Sequence, residues 1–219
     1  MARPTRPLIS RDSCAEAALA IIDEEGLEAL SLEKLATVLG VKAPSLYHHF
    51  EDKAEILASV ARLVVLETPV PPEPAPDNWQ EWMVNMCVGF RQAILKHPRA
   101  APLLLQYNPR HSLLSSYERA SRVLGKAGVP IELHLLIIEG TDRLTLGSGL
   151  YSASRVTGGQ PAFPVVDPDR DPMLARALDA NRWTEEEGFA ETVRAFLRGA
   201  GTATPKGTRR RDRRRNGSA

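Results

Sequence analysis

Nowhere in this 219-residue chain do apolar residues run for the roughly 18 that a membrane-spanning helix needs. The opening MARPTRPLIS also lacks the apolar stretch of a secretory leader, so the sequence reads as a cytoplasmic protein with no membrane partner. Cysteine is scarce: Cys14 and Cys87 lie far apart, each inside an apolar helical pattern. That argues against a disulfide framework or a metal pair and points to buried, reduced thiols. No run of alternating apolar and polar residues suggests a strand series, and no internal repeat appears. Catalytic signatures are missing too. There is no H-E-x-x-H, and Gly147-Ser148-Gly149 lacks the spacing of a nucleophile elbow. His97, His111 and His134 are too irregularly spaced for a metal site, and Gly158-Gly159-Gln160 reads as a turn in a Gly/Pro loop. The sequence therefore predicts no enzyme, no metal and no cofactor.

What is present is an ordinary globular composition, 43% hydrophobic and 25% charged. The net charge of +1 is unevenly spread. KGTRRRDRRRNGSA (206–219) carries seven Lys/Arg against Asp212 and has almost nothing apolar to bury, so a disordered basic tail is expected over 205–219. Whether such a tail touches DNA or only solubilises the chain stays open. TPVPPEPAPDN (68–78), with five prolines, is the clearest internal boundary. It divides the chain into residues 1–66, a connector at 67–78 and a second domain at 79–204.

Periodicity predicts helices almost everywhere, and the fold class is all-α. RDSCAEAALAIIDEE repeats Ala15, Ala18, Leu19 and Ile22 at helical steps and stops before Gly26. Ser31 can cap LEKLATVL, Gly40-Val41 can turn, and Pro44 suits the start of a short helix, PSLYHHF. Asp52 and Glu55 have capping-box spacing ahead of KAEILASVARLVVLE. Helices are expected again at 79–96, 98–107, 112–127, 131–154 and 172–181. A last one, 184–199, has Thr184 and Glu187 in capping-box spacing.

The third element, inside GVKAPSLYHHF, is short and polar on one side. Leu46 and Phe50 can face inward onto Leu35 and Leu39, which leaves Lys42, Pro44, Ser45, Tyr47 and His48 outward. Three helices joined by tight turns with such a third member form a helix-turn-helix arrangement. A helix fits the DNA major groove, Ser and His can bond base edges or phosphates, and Pro can pack on a thymine methyl. One feature opposes this reading. Residues 1–66 hold seven Lys/Arg against ten Asp/Glu, not the basic surface expected of a nucleic-acid binder. Local placement can outweigh that sum because screening limits each charge to about 8–10 Å.

SLEKLATVLGVKAPSLYHHFEDKAEIL resembles the DNA-binding signature of the tetracycline-repressor (TetR) family. The match runs through Leu35, Ala36, Leu39, Gly40, Val41, Ser45, Leu46, Tyr47, His49, Phe50 and Lys53. Beyond residue 66 the resemblance is one of architecture only. It implies that Lys42, Ala43, Pro44 and Ser45 meet base edges, with His48 on the same outward face. It further implies that Tyr47, His49 and Lys53 contact phosphates, while Ser31 and Glu33 open the supporting helix beside the groove. Glu33 stands where the tetracycline repressor uses a guanine-reading Arg, so the operator sequence does not carry over. The resemblance implies a ligand-responsive repressor that binds a palindromic DNA operator as a homodimer. A ligand-independent regulator or activator, or a helical module without specific DNA binding, remains an alternative.

The second domain's pattern suits a pocket between helices for an apolar small molecule. Trp82, Met86, Phe90, Leu104, Tyr107, His134, Ile137 and Thr141 are the expected lining, against the competing reading of a plain apolar core. Homodimer contacts are expected from the helices at 131–154 and 184–199. The effector, the operator and the regulated genes are not legible in the sequence.

Overall fold

The computed structural model describes residues 9–107 and 109–201, so the expected basic tail at 205–219 lies outside the described residues. Nine α-helices are found among them: α1 (Arg11–Glu25), α2 (Leu32–Leu39), α3 (Lys53–Leu66), α4 (Trp79–Lys96), α5 (Leu103–Tyr107), α6 (Leu114–Lys126), α7 (Ile131–Gly158), α8 (Pro172–Ala180) and α9 (Glu185–Ala200). No strand occurs in the described residues.

Local chemistry sets the helix ends. Ser31 Oγ accepts from the Lys34 amide at 3.1 Å to open α2, and Asp52 Oδ1 accepts from the Glu55 amide at 2.9 Å to open α3. Each such cap satisfies a backbone donor that the first helical turn would leave unpaired. The reciprocal half of the box differs at α3: the Glu55 carboxylate accepts from the Glu51 amide at 2.8 Å rather than from its cap residue. At α9 both halves form, with Thr184 Oγ1 accepting from the Glu187 amide and the Glu187 carboxylate from the Thr184 amide. Gly40 ends α2 at φ 67°, a left-handed conformation that costs a residue with a Cβ about 1 kcal/mol or more.

Three expected helices take a different form. PSLYHHF is a 3₁₀ segment, Ala43–His48, instead of an α-helix. Pro44 supplies no amide, and the bonds made are the tighter kind, from the Ser45 amide to Lys42 O and from the His49 amide to Leu46 O, both 2.9 Å. The helix expected over 98–107 shrinks to α5, because Pro98 and Pro102 remove donors and the intervening chain turns back on His97 O. The next begins as a 3₁₀ turn, Arg110–Leu113, before α6, whereas α7 runs past the expected Ser154 to Gly158.

Two apolar cores result. One joins α1, α2, the 3₁₀ segment and α3 to α5, Phe90 and Ile94 of α4, and Ala153 of α7. Leu35 and Leu46 are fully buried in it, with Phe50 beside them and Leu39 partly covered. Cys14 is also buried there as a free thiol. The other core holds the opposite side of α4 against α6, α7 and α9, and contains Cys87 together with Phe189, Val193, Phe196 and Leu197 of α9. Helix α3 buries Ile56, Val60 and Val64 in the first core and so spans the base of both modules.

The proline-rich connector is docked, not free. Pro69 lies against α4 where Gly89 has no side chain: a Cβ there would sit 2.9 Å from Pro69 Cγ. Trp82 Nε1 donates to Pro71 O at 3.4 Å, and Glu73 accepts from Lys126 at 2.7 Å and Arg122 at 3.1 Å. Gly89→Ala is therefore expected to destabilise the protein by about 1–3 kcal/mol through overpacking. Gly188→Ala on α9, whose new Cβ would meet its nearest neighbour at an ordinary 3.9 Å, should stabilise by up to about 1 kcal/mol. Chemical denaturation of both variants checks the contrast.

Candidate nucleic-acid face and effector cavity

The outward side of the 3₁₀ segment carries the polar residues picked out above. Lys42, Pro44 and His48 are exposed and Tyr47 is 57% exposed, while Ala43, Ser45, His49 and Lys53 are half-buried around them. An exposed Tyr above a buried Leu46 and Phe50 is the arrangement of a surface held rigid from below. Glu33 is exposed at the start of α2, and Ser31 is half-buried with its hydroxyl engaged in the α2 cap. Helix α2, the 3₁₀ segment and the start of α3, with their cap residues, carry all ten expected contact residues.

Ion pairs sort the nearby cations. Arg11 is a staple: it pairs with Glu55, donates to His49 O at 2.7 Å and lies 4.7 Å above the Phe50 ring. That cluster lowers the Glu55 pKa, with the Arg11 hydrogen bond as the largest cause. Lys34 pairs with Glu25. Lys42 and Lys53 make no ion pair among the described residues, which leaves their ammonium groups for an external anion.

On the far side of α3, a cavity of about 220 Å³ lies between α4, α6 and α7. The end of α3 and the connector close it through Val65, Leu66, Thr68 and Val70. Of the expected lining residues, Trp82, Met86, Phe90 and Thr141 reach its wall. Leu104 faces an adjoining cavity of about 190 Å³, and Tyr107 packs against the first core instead. His134 and Ile137 lie elsewhere. Ile137 is fully buried in the second core, and the His134 ring turns to α6, with Nδ1 2.8 Å from Ser121 Oγ and Nε2 3.1 Å from Val129 O. A carbonyl only accepts, so Nε2 carries the proton, and both nitrogens are spent on structure.

The sequence reading did not include the polar part of the wall: Ser112, Ser115, Ser116, Tyr117, Asp142 and Thr145. Tyr117 donates to Asp142 Oδ2 at 2.6 Å. Burial pushes the Asp142 pKa up, and burial together with that carboxylate pushes the Tyr117 phenol up to about 12. The signal was available, since Asp142 shares a helical face with Ile138 and Thr145, an acid on an otherwise uncharged stripe. Cys87 also lines the cavity, but burial raises its pKa to about 11, so it is an unreactive thiol. No group of three or more His, Cys, Asp or Glu that could hold a metal ion occurs among the described residues.

A second feature joins the two ends. His97, at the end of α4, is buried with Nδ1 2.6 Å from Asp23 of α1 and Nε2 3.1 Å from Glu67 just after α3. Lys96 adds a 2.6 Å bond to Glu67, and Arg99 donates to Asp23 O at 2.8 Å. The base of the DNA-facing module is thereby tied to the helix that walls the cavity.

Comparison with known proteins finds two matched regions. Residues 15–60 match the family of bacterial regulatory proteins described as the tetR family, and residues 71–200 match the tetracyclin repressor-like C-terminal domain. Tetracycline repressor protein class D of Escherichia coli is 27% identical over 195 residues, covering 87% of this chain and 88% of that one. The HTH-type transcriptional repressor DrrR1 of Streptomyces coeruleorubidus is 31% identical over 206 residues, covering 86% and 73%. Among solved structures, ActR of Streptomyces coelicolor in complex with actinorhodin superposes with a TM-score of 0.73 at 25% identity, over 89% of this chain and 97% of that one. Family matches over both the DNA-facing module and most of the second domain settle the assignment: the chain belongs to the tetR family of bacterial regulatory proteins.

Proposed function

We propose that this protein is a ligand-responsive transcriptional repressor that binds a palindromic DNA operator as a homodimer and releases it when a small molecule fills the cavity. The observation that carries this reading is the shared helix. The N-terminal end of α3 holds Lys53 beside the DNA-facing surface, and its C-terminal residues Val65 and Leu66 wall the cavity. A ligand that favours one position of α3 shifts the spacing of two recognition segments, which must match about 34 Å along a duplex. The ligand-bound ActR structure and the repressor relatives support the reading. The protein acts in this account as a regulator without catalysis, and its DNA target makes the cytoplasm its site of action. No described helix is long and apolar enough to cross a membrane.

Lys42, Ala43, Pro44 and Ser45 read base edges in this proposal, with Ser31, Glu33 and His48 flanking them. Tyr47, His49 and Lys53 hold phosphates. Base contacts are worth about 1–3 kcal/mol each and depend on sequence, whereas phosphate contacts serve all sequences alike. Footprinting on DNA flanking the coding region should reveal a palindromic site. Lys42→Ala and Ser45→Ala should then change the preferred sequence. Lys53→Ala should weaken every site and lower the salt slope by about one. Unchanged binding by all three variants contradicts the assignment.

The homodimer is supported by apolar residues that the single chain leaves uncovered. Leu135 and Leu136 on α7 are 71% and 44% exposed, Tyr151 further along is 63% exposed, and α8 buries none of its side chains. The α9 stripe Phe189, Val193, Phe196 and Leu197 faces its own core, so α9 offers the partner its other side. Leu136→Asp combined with Tyr151→Asp should give a folded monomer by analytical ultracentrifugation, with operator affinity reduced by at least about a hundredfold. A variant that still sediments as a dimer would place the interface elsewhere.

A further inference from the structure

We propose that the cavity selects an apolar effector carrying a protonated amine, which Asp142 receives as its counter-ion. The proposal rests on the reading of this cavity as the effector site and adds the chemistry of the ligand. Among the described residues, its wall contains Asp142 and no Lys, Arg or His. An anionic ligand here would meet a like charge, since Arg110 and Arg143 line only the adjoining cavity.

The carboxylate is incompletely served by the protein. Oδ2 accepts the Tyr117 hydroxyl at 2.6 Å, and Oδ1 takes no hydrogen bond among the described residues. Arg110 and Arg143 line the adjoining cavity with Asp142 and favour its charged form from a distance, but the carboxylate they pair with is Glu139, Arg110 at 3.6 Å. A half-paired carboxylate in an apolar cavity is costly to keep ionised, and burial accordingly raises the Asp142 pKa. A ligand ammonium group reverses that cost by supplying both charge and donors. A neutral apolar ligand would strip water from Oδ1 and return nothing.

The rest of the wall suits the same guest. Trp82, Phe90 and Tyr117 present aromatic rings, whose faces attract a cation, and Met83 and Met86 add polarisable surface for an apolar body. Ser112, Ser115 and Ser116 can accept hydrogen bonds from the remaining ammonium N–H groups.

The test uses three probes of one shape, naphthylmethylamine, naphthylmethanol and naphthoate, titrated calorimetrically into the full-length protein. The amine should bind at least about tenfold tighter than the alcohol, and the acid should bind weakest. Asp142→Asn should bring the amine down to the alcohol's affinity. Tyr117→Phe, which keeps the carboxylate, should retain the amine's advantage. Equal or tighter binding of the alcohol or the acid overturns the proposal, as does an amine advantage that survives Asp142→Asn, an advantage lost in Tyr117→Phe, or no binding by any probe at millimolar concentration. Operator release followed in the same samples separates the two ideas. The amine ranking with the operator still bound supports the ligand class and overturns the effector reading. Release by the acid or the alcohol in preference to the amine overturns the class and leaves the reading standing.

Discussion

Helix α3 is the constraint on which the rest of this structure depends. Its buried residues Ile56, Leu57, Val60, Ala61, Val64 and Val65 complete the core of the N-terminal module and also pack on the second domain. The DNA-facing module is thus no independent bead on a linker, because its apolar core continues through α3 into α4, α5 and α7. Close-packed interiors do not deform smoothly; they shift between discrete arrangements. A change of volume at Val65 and Leu66 must therefore be taken up either by α4 and α6 or by movement of α3. The polar knot at His97 makes the second route effective, since Asp23 of α1 and Glu67 after α3 are held on one buried ring. Anything that moves the end of α3 moves α1 with it.

The electrostatics of the N-terminal module explain how an acidic domain can face DNA. Three of the five Lys and Arg among its described residues are spent internally: Arg11 on Glu55, Lys34 on Glu25, and Arg62 on Asp12 at 3.6 Å. These exposed pairs contribute little stability, of order 0–1 kcal/mol, but they decide which charges face outward. Among the module's described Lys and Arg, Lys42 and Lys53 remain without an ion pair. In the proposed reading, discrimination comes from short-range contacts at Ala43, Pro44 and Ser45, and phosphate contacts add affinity without sequence information.

Much of this was legible in the sequence, and the boundary of legibility has physical causes. Short-range chemistry was readable: the caps at Ser31, Asp52 and Thr184, the left-handed Gly40, and the inward Leu46 and Phe50 beneath an outward Tyr47. The recognition motif was specific because each of its positions answers to a local rule. The 3₁₀ geometry at Ala43–His48 was missed because Pro44 permits both helix types, and the choice follows from tight turns on either side. Cavity membership was harder. Helix α7 is apolar on several sides, and only the placement of α4, α6 and α9 decides that Thr141 and Asp142 face the cavity while Ile137 faces the core. The connector's role as a cavity wall depends on Pro69 meeting Gly89, a fit between distant residues that composition alone does not announce.

The central claim, that occupancy of the cavity is read out at the DNA-facing surface through α3, can be tested without knowing the ligand. Ala120 lines the cavity from α6 and is 8% exposed, so Ala120→Phe would project a ring into the space between Trp82 and Val65. Operator affinity of this variant, measured by fluorescence anisotropy on protein whose helical content and dimerisation match the wild type, is the decisive quantity. The account predicts a loss of about 5- to 150-fold, the range of ordinary allosteric coupling, in the absence of any added compound. Unchanged operator affinity, with the altered Trp82 emission of a filled cavity, would contradict it.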